Sequence, residues 1–116
     1  MANTFKQINF AAEPNSAGTP YVMYTVASST TAVIIGLLLT NIHTTTVTAD
    51  VQLVSDTSDT ETNETVLLIK DVSIPAGSSL ELLTGGKVVL QTTDILKIDC
   101  SVSAKIDATL SILEIT

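Results

Sequence analysis

Val47-Thr48-Ala49-Asp50-Val51-Gln52-Leu53 sets apolar side chains against polar ones at a spacing of two. That period belongs to a β-strand, whose successive side chains point to opposite faces, and it predicts one buried face and one wet face. The same period continues in both directions along the chain. Downstream, Leu96, Ile98, Cys100 and Val102 are expected inward and Lys97, Asp99 and Ser101 outward in a strand over Ile95 to Ser103. Ala108, Leu110 and Ile112 share one face of a closing strand over Asp107 to Ile115. Upstream, Val22, Tyr24 and Val26 share a face, and Lys6, Ile8 and Phe10 mark an opening strand. Thr31 to Asn41, Glu64 to Val72, Leu80 to Leu83 and Lys87 to Gln91 complete the set.

Clusters of small and turn-forming residues separate these segments: Glu13 to Pro20, Ala27 to Thr30, Ile74-Pro75-Ala76-Gly77-Ser78 and Gly85-Gly86. Eight or nine short strands without a helical crossover predict an all-β fold, an antiparallel two-sheet β-sandwich resembling a jelly roll. One domain is expected to span residues 1–116. A faint echo between Val26-Ala27-Ser28-Ser29 and Ile74-Pro75-Ala76-Gly77-Ser78-Ser79 suggests two similar corners.

Composition agrees with strands. Thr, Val and Ile supply 19, 11 and 11 residues, and branched Cβ atoms favour a pleated surface over a helix. Twelve carboxylates face five lysines and no arginine, for a net charge of −7. Duplex binding requires clustered cations that displace counterions, so nucleic acid and anionic membrane are poor partners for such a chain. The longest apolar run, Ala32 to Leu39, falls far short of the ~20 residues that span a bilayer. The start lacks the basic-then-apolar pattern of a secretory signal, which makes a cytosolic site of synthesis the expectation.

The residues that could carry chemistry are few. Asp56, Asp59, Glu61 and Glu64 crowd the hydrophilic stretch from Ser55 to Asn63, without the ligand spacing of an EF-hand, and a solvated surface loop is expected. His43 is the sole histidine and sits in a Thr-rich hairpin loop. Cys100, also alone, is in register with core residues and flanked by Asp99, the wrong neighbour for a thiolate. Ser78 and Ser79 lack a nucleophile elbow, and Gly85-Gly86-Lys87 is a turn and not a phosphate loop. No catalytic, cofactor-binding or metal-ligating set is therefore assigned, and the chain is expected not to be an enzyme. For glycan binding, sugar rings stack on exposed aromatic platforms, although hydrogen-bonding loops can hold a sugar without stacking. Tyr21 and Tyr24 are three apart, and Phe5 and Phe10 five apart, so each pair is expected on opposite faces.

Several strands are apolar on both faces. In Thr31 to Asn41, Val33, Ile35, Leu37 and Leu39 would share one side, with Ile34 and Leu38 on the other. Val66-Leu67-Leu68-Ile69 and Val88-Val89-Leu90 repeat the pattern. One two-layer sandwich buries a single face per strand, so apolar surface is left over, and copies of the same chain are expected to cover it. The alternative is a thicker monomer with the Glu13 to Pro20 loop folded over one sheet.

The chain also resembles small β-rich virion proteins of tailed bacteriophages of the marine cyanophage type. The likeness rests on Met1 to Lys6, on Tyr24-Thr25-Val26 through Thr31 to Leu37, and on Ile69-Lys70-Asp71 with Ile74 to Leu82. It continues through Thr93 to Ile98 and Ser111 to Thr116. That resemblance implies a non-enzymatic bacteriophage virion structural protein, made in the host cytoplasm and present in many copies on the particle. Capsid decoration is the first expected position and the tail or neck the second, with other virion proteins and further copies of the chain as partners. The alternative is a glycan-binding β-sandwich module.

Overall fold

The structure, a computed structural model, describes residues 2–55, 64–82 and 87–116. Nine strands follow in order: β1 (Asn3–Glu13), β2 (Tyr21–Thr25), β3 (Thr31–Asn41), β4 (Val47–Ser55), β5 (Glu64–Ile74), β6 (Ser79–Leu82), β7 (Val88–Leu90), β8 (Ile95–Cys100) and β9 (Ile106–Ile115). One sheet has the order β1-β9-β3-β6, with β7 also paired to β3, and the other has the order β2-β8-β4-β5. All pairings are antiparallel. This is the jelly-roll arrangement of two four-position sheets. β6 pairs with Leu37 to Thr40 and β7 with Ala32 to Ile34, so two short strands share the eighth position.

The two-residue period sorts the core as read for three strands. Val47, Ala49 and Val51 are buried on β4, Leu96, Ile98 and Cys100 on β8, and Ala108, Leu110 and Ile112 on β9. Each large side chain removed from water contributes roughly 1.5–3 kcal/mol. β8 stops at Cys100 and not Ser103: Ser101 turns the chain, its amide bonded to the Thr48 carbonyl at 2.9 Å. Val102 still packs partly against the core. The two corners suggested by the faint echo both carry the chain from the β2/β8/β4/β5 sheet to the opposite one, at residues 26–30 and 75–78. At the second, Gly77 has φ 69° and the Ser78 amide bonds the Pro75 carbonyl.

Two groupings are corrected, both by bulges. On β3 the register shifts between Ile34 and Gly36. Ala32 and Ile34 point inward before it, and Leu37, Leu39 and Asn41 after it. Val33 and Ile35 therefore do not share a side with Leu37 and Leu39. On β2 the register shifts between Val22 and Tyr24. Tyr21 and Tyr24 consequently lie opposite Ile98 and Leu96, both inward residues, while Val22 is 47% exposed. The expectation that Val22, Tyr24 and Val26 share a face, and that the two tyrosines diverge, fails for the same reason: an inserted residue reverses the parity.

Asn41, fully buried at the end of β3, holds a corner in place. Its amide nitrogen donates to the carbonyls of Thr45 (2.9 Å) and Ile74 (2.8 Å), and its side-chain oxygen accepts from the His43 amide (2.7 Å). The segment after β1 is tied to the β8–β9 end: the Ala17 amide reaches Ser103 Oγ, Gly18 reaches Asp99 Oδ1, and Ala104 donates to the Pro14 carbonyl. Those bonds anchor it beside Asp99, on the β2/β8/β4/β5 sheet.

Candidate interaction surface

The residues singled out for chemistry are dispersed. His43 is half-buried, and among the described residues no carboxylate or hydroxyl is bonded to its ring. Cys100 is 3% exposed; burial pushes its thiol up, and Asp99 and Asp50 add to the rise, so the nucleophilic thiolate is disfavoured. Ser79 Oγ spends its bonding on Thr40 Oγ1 at 3.1 Å, and the Ser78 carbonyl accepts from the Asn41 amide. Ser55 ends β4 as a buried residue, whereas Asp56, Asp59 and Glu61 lie outside the described residues, as do Gly85 and Gly86. Among the described residues no cluster of metal-ligating side chains occurs.

Sequence reasoning missed one juxtaposition. Asp50 and Asp99 are direct cross-strand neighbours on β4 and β8, a like-charge pair that ordinarily destabilises a sheet. Backbone donors offset the repulsion: Asp50 Oδ1 accepts from the Asp71 amide at 2.6 Å, and Asp99 Oδ1 accepts from Cys100 and Gly18. The signal was present as two outward carboxylates in alternating segments, but register is needed to place them together.

The rings form no sugar platform. Tyr24 is buried, and Phe10 and Tyr21 pack on each other with centroids 4.7 Å apart. Tyr24 Oη donates to Glu114 Oε2 at 2.5 Å, and Glu114 Oε1 accepts from Lys6 Nζ at 2.9 Å. The three side chains tie β2 of one sheet to β9 and β1 of the other. The Tyr24 hydrogen bond, then Lys6, holds the Glu114 carboxyl below its ordinary range, and burial followed by Glu114 pushes the Tyr24 phenol up. Phe5, by contrast, is 76% exposed.

Phe5 belongs to a row. It pairs with Leu113, Leu113 with Val33, and Val33 with Val89, so four apolar side chains cross β1, β9, β3 and β7 on the outer face of their sheet. Val89 is 57% exposed at the far margin. Ile35, the bulged residue, is exposed beside the row, and Leu38 emerges farther along β3. Between them, Gly36, Leu37, Leu38, Glu81, Thr109 and Ser111 line a shallow dimple. A Cβ placed on Gly36 would meet nothing within 4 Å. The other sheet's outer face is different in kind: the row Val22, Lys97, Gln52, Leu67 carries a charge at its centre, next to Asp50 and Asp99.

No family model matches the sequence, and no curated protein matches it. Among solved structures, the chain is similar to one described as Bacillus endospore appendages that form a novel family of disulfide-linked pili. The match has a TM-score of 0.54 at 18% identity, and covers 99% of this chain and 87% of that one. At that identity the likeness establishes the shared fold. It also corrects the expectation of a bacteriophage virion protein, whether capsid decoration, tail or neck: the protein sharing this fold builds a bacterial appendage, not a phage particle. The resemblance to cyanophage proteins rested on turn and core patterns, not on chemical signatures.

Proposed function

We propose that this chain is a non-enzymatic structural subunit that works in many copies, in a pilus-like polymer. The observation that carries the reading is the apolar surface left on the finished sandwich: Phe5, Val22, Ile35, Leu38, Val66, Leu67 and Val89 are exposed on strands, with Ile42 exposed just beyond β3. Phe5, Ile35, Leu38 and Val89 lie on one sheet, where Leu113 and Val33 join Phe5 to Val89, and contiguous exposed apolar surface marks contact sites. The shared fold with a pilus-forming protein, over nearly the whole chain, supports it. Cys100 is buried and the chain has no other cysteine, so its copies are joined by non-covalent contacts, unlike the disulfide-linked appendages. Purified chain examined by sedimentation and negative-stain electron microscopy is expected to form ordered multimers under reducing and oxidising conditions alike. A uniformly monomeric chain at high micromolar concentration sinks the proposal.

A further inference from the structure

We infer that the outer face of the β1-β9-β3-β6/β7 sheet docks a second copy of this chain, each copy's Phe5 seating in the dimple over the other's Gly36. This rests on the multi-copy reading above and names the contact.

The face carries both halves of a fit. Phe5 is its most exposed apolar side chain, a knob near one margin. The dimple over Gly36 is a hole of about 270 Å³, floored by a residue without a side chain and lined by Leu37, Leu38, Thr109 and Ser111, with Glu81 on its β6 side. An enclosed apolar cavity of ~150 Å³ accepts a benzene ring, so the volume of this open dimple suffices for a phenyl group. Phe5 and Gly36 lie two strands apart and, through Leu113 and Ser111, two residues along. With sheet spacings, that is roughly 10 Å across and 7 Å along. A two-fold axis midway between them, in the plane between two facing sheets, takes each knob into the other copy's hole at once. The strands then cross at roughly 70°, nearer the orthogonal class of sheet packing than the aligned one. An interface in which residue i meets j and j meets i is the isologous contact of a closed pair.

Charge selects a second copy as the occupant. The chain carries −7, so most of its surfaces repel their own kind. On this face Phe5, Gln7 and Asn9 of β1, Leu113, Ser111 and Thr109 of β9, and Val33, Ile35, Gly36 and Leu38 of β3 include no charged residue. Among the described residues, the charges at this face are Glu81, which pairs with Leu38 and lines the β6 side of the dimple, Lys87 beside β7, and Asp107 opposite Thr40. Area is of the right order. The apolar side chains present on the order of 400 Å². Two faces with their neutral Gln7–Ser111 and Asn9–Thr109 rows approach the ~1,200 Å² at which specific interfaces begin. Because an isologous contact closes on itself, polymer growth uses another surface, for which Val22 and Leu67 on the opposite sheet are available.

The test is sedimentation of four variants against the unmodified chain. Phe5→Ser removes the knob and Gly36→Leu fills the hole; one side chain is already exposed and the other enters open space, so the monomer fold is retained. Each is expected to weaken pairing by about tenfold or more, and the double variant no further than the worse single one, since both delete one contact. Gln7→Glu, which puts a charge on the neutral rows, is expected to weaken pairing, while Ser73→Glu, an added charge at an exposed position of the opposite sheet away from Val22 and Leu67, leaves it within about twofold. If the unmodified chain associates and Phe5→Ser or Gly36→Leu associates equally well, the docking assignment is wrong and the structural-subunit reading stands. A unmodified chain that stays monomeric overturns both.

Discussion

Tyr24, Glu114 and Lys6 tie the two sheets together where β1 and β2 end their strand orders, with a short chain of bonds. A phenol donating to a carboxylate is stronger than a neutral pair, so Tyr24→Phe is expected to cost about 1–2 kcal/mol at neutral pH. The pH dependence has a definite sign. Glu114 is depressed in the folded state, chiefly by the Tyr24 bond, so its contribution is present above the ordinary value of 4.5 and is lost as pH falls through the lower folded value. Tyr24 is raised, so its contribution is present below 10.0 and fades as pH climbs through the folded value above it. Urea unfolding of the parent and of Tyr24→Phe should therefore differ most between these limits and converge in acid. A difference that stays constant down to the acid limb would mean that the bond does not hold the Glu114 carboxylate. None of this was readable in the sequence, where Tyr24 and Glu114 are ninety positions apart and only their placement in facing sheets joins them.

Strand β3 shows what periodicity conveys and what it misses. The segment Thr31–Asn41 was legible as one strand, with its bounds, because it is apolar and bracketed by turn residues. Its inward set was not, because the bulge at Ile35 leaves no mark in composition: an extra apolar residue in an apolar run looks like any other. The same blindness misassigned Val22 on β2. Strands β4 and β8 escaped it, since polar residues alternate there and expose the parity directly. The bulge makes a sharp prediction. Deleting Ile35 removes the unpaired residue and leaves Ala32, Ile34, Leu37 and Leu39 on one face in regular alternation, so the variant should fold with a cooperative transition. Deleting Leu38 instead turns Leu39 and the fully bonded Asn41 outward, a loss of more than about 4 kcal/mol. Circular dichroism melts of the two deletions check this; equal damage from both would show that the bulged residue is needed for the fold itself.

At the scale of the whole molecule, the leftover apolar surface was foreseeable from strands apolar on both sides, but not its location. It took register to align Phe5, Leu113, Val33 and Val89, which come from four separated stretches of chain, and the bulge to set Gly36 beside them. The resulting body carries a net −7 on most of its surface and a neutral centre on one face, so two energies oppose each other when copies meet. Long-range repulsion between acidic bodies is screened by salt over a Debye length of about 10 Å at 0.1 M, whereas burial of apolar side chains is not weakened by it. Pairing through the Phe5 face should therefore tighten as salt rises from low to moderate concentration, by severalfold in dissociation constant. A contact held instead by ion pairs, for instance Lys97 of one copy against carboxylates of another, would loosen over the same range. Sedimentation equilibrium across a salt series reads the sign directly. Tightening with salt in the unmodified chain, together with no such gain in Phe5→Ser, is the result expected of an apolar contact between acidic copies.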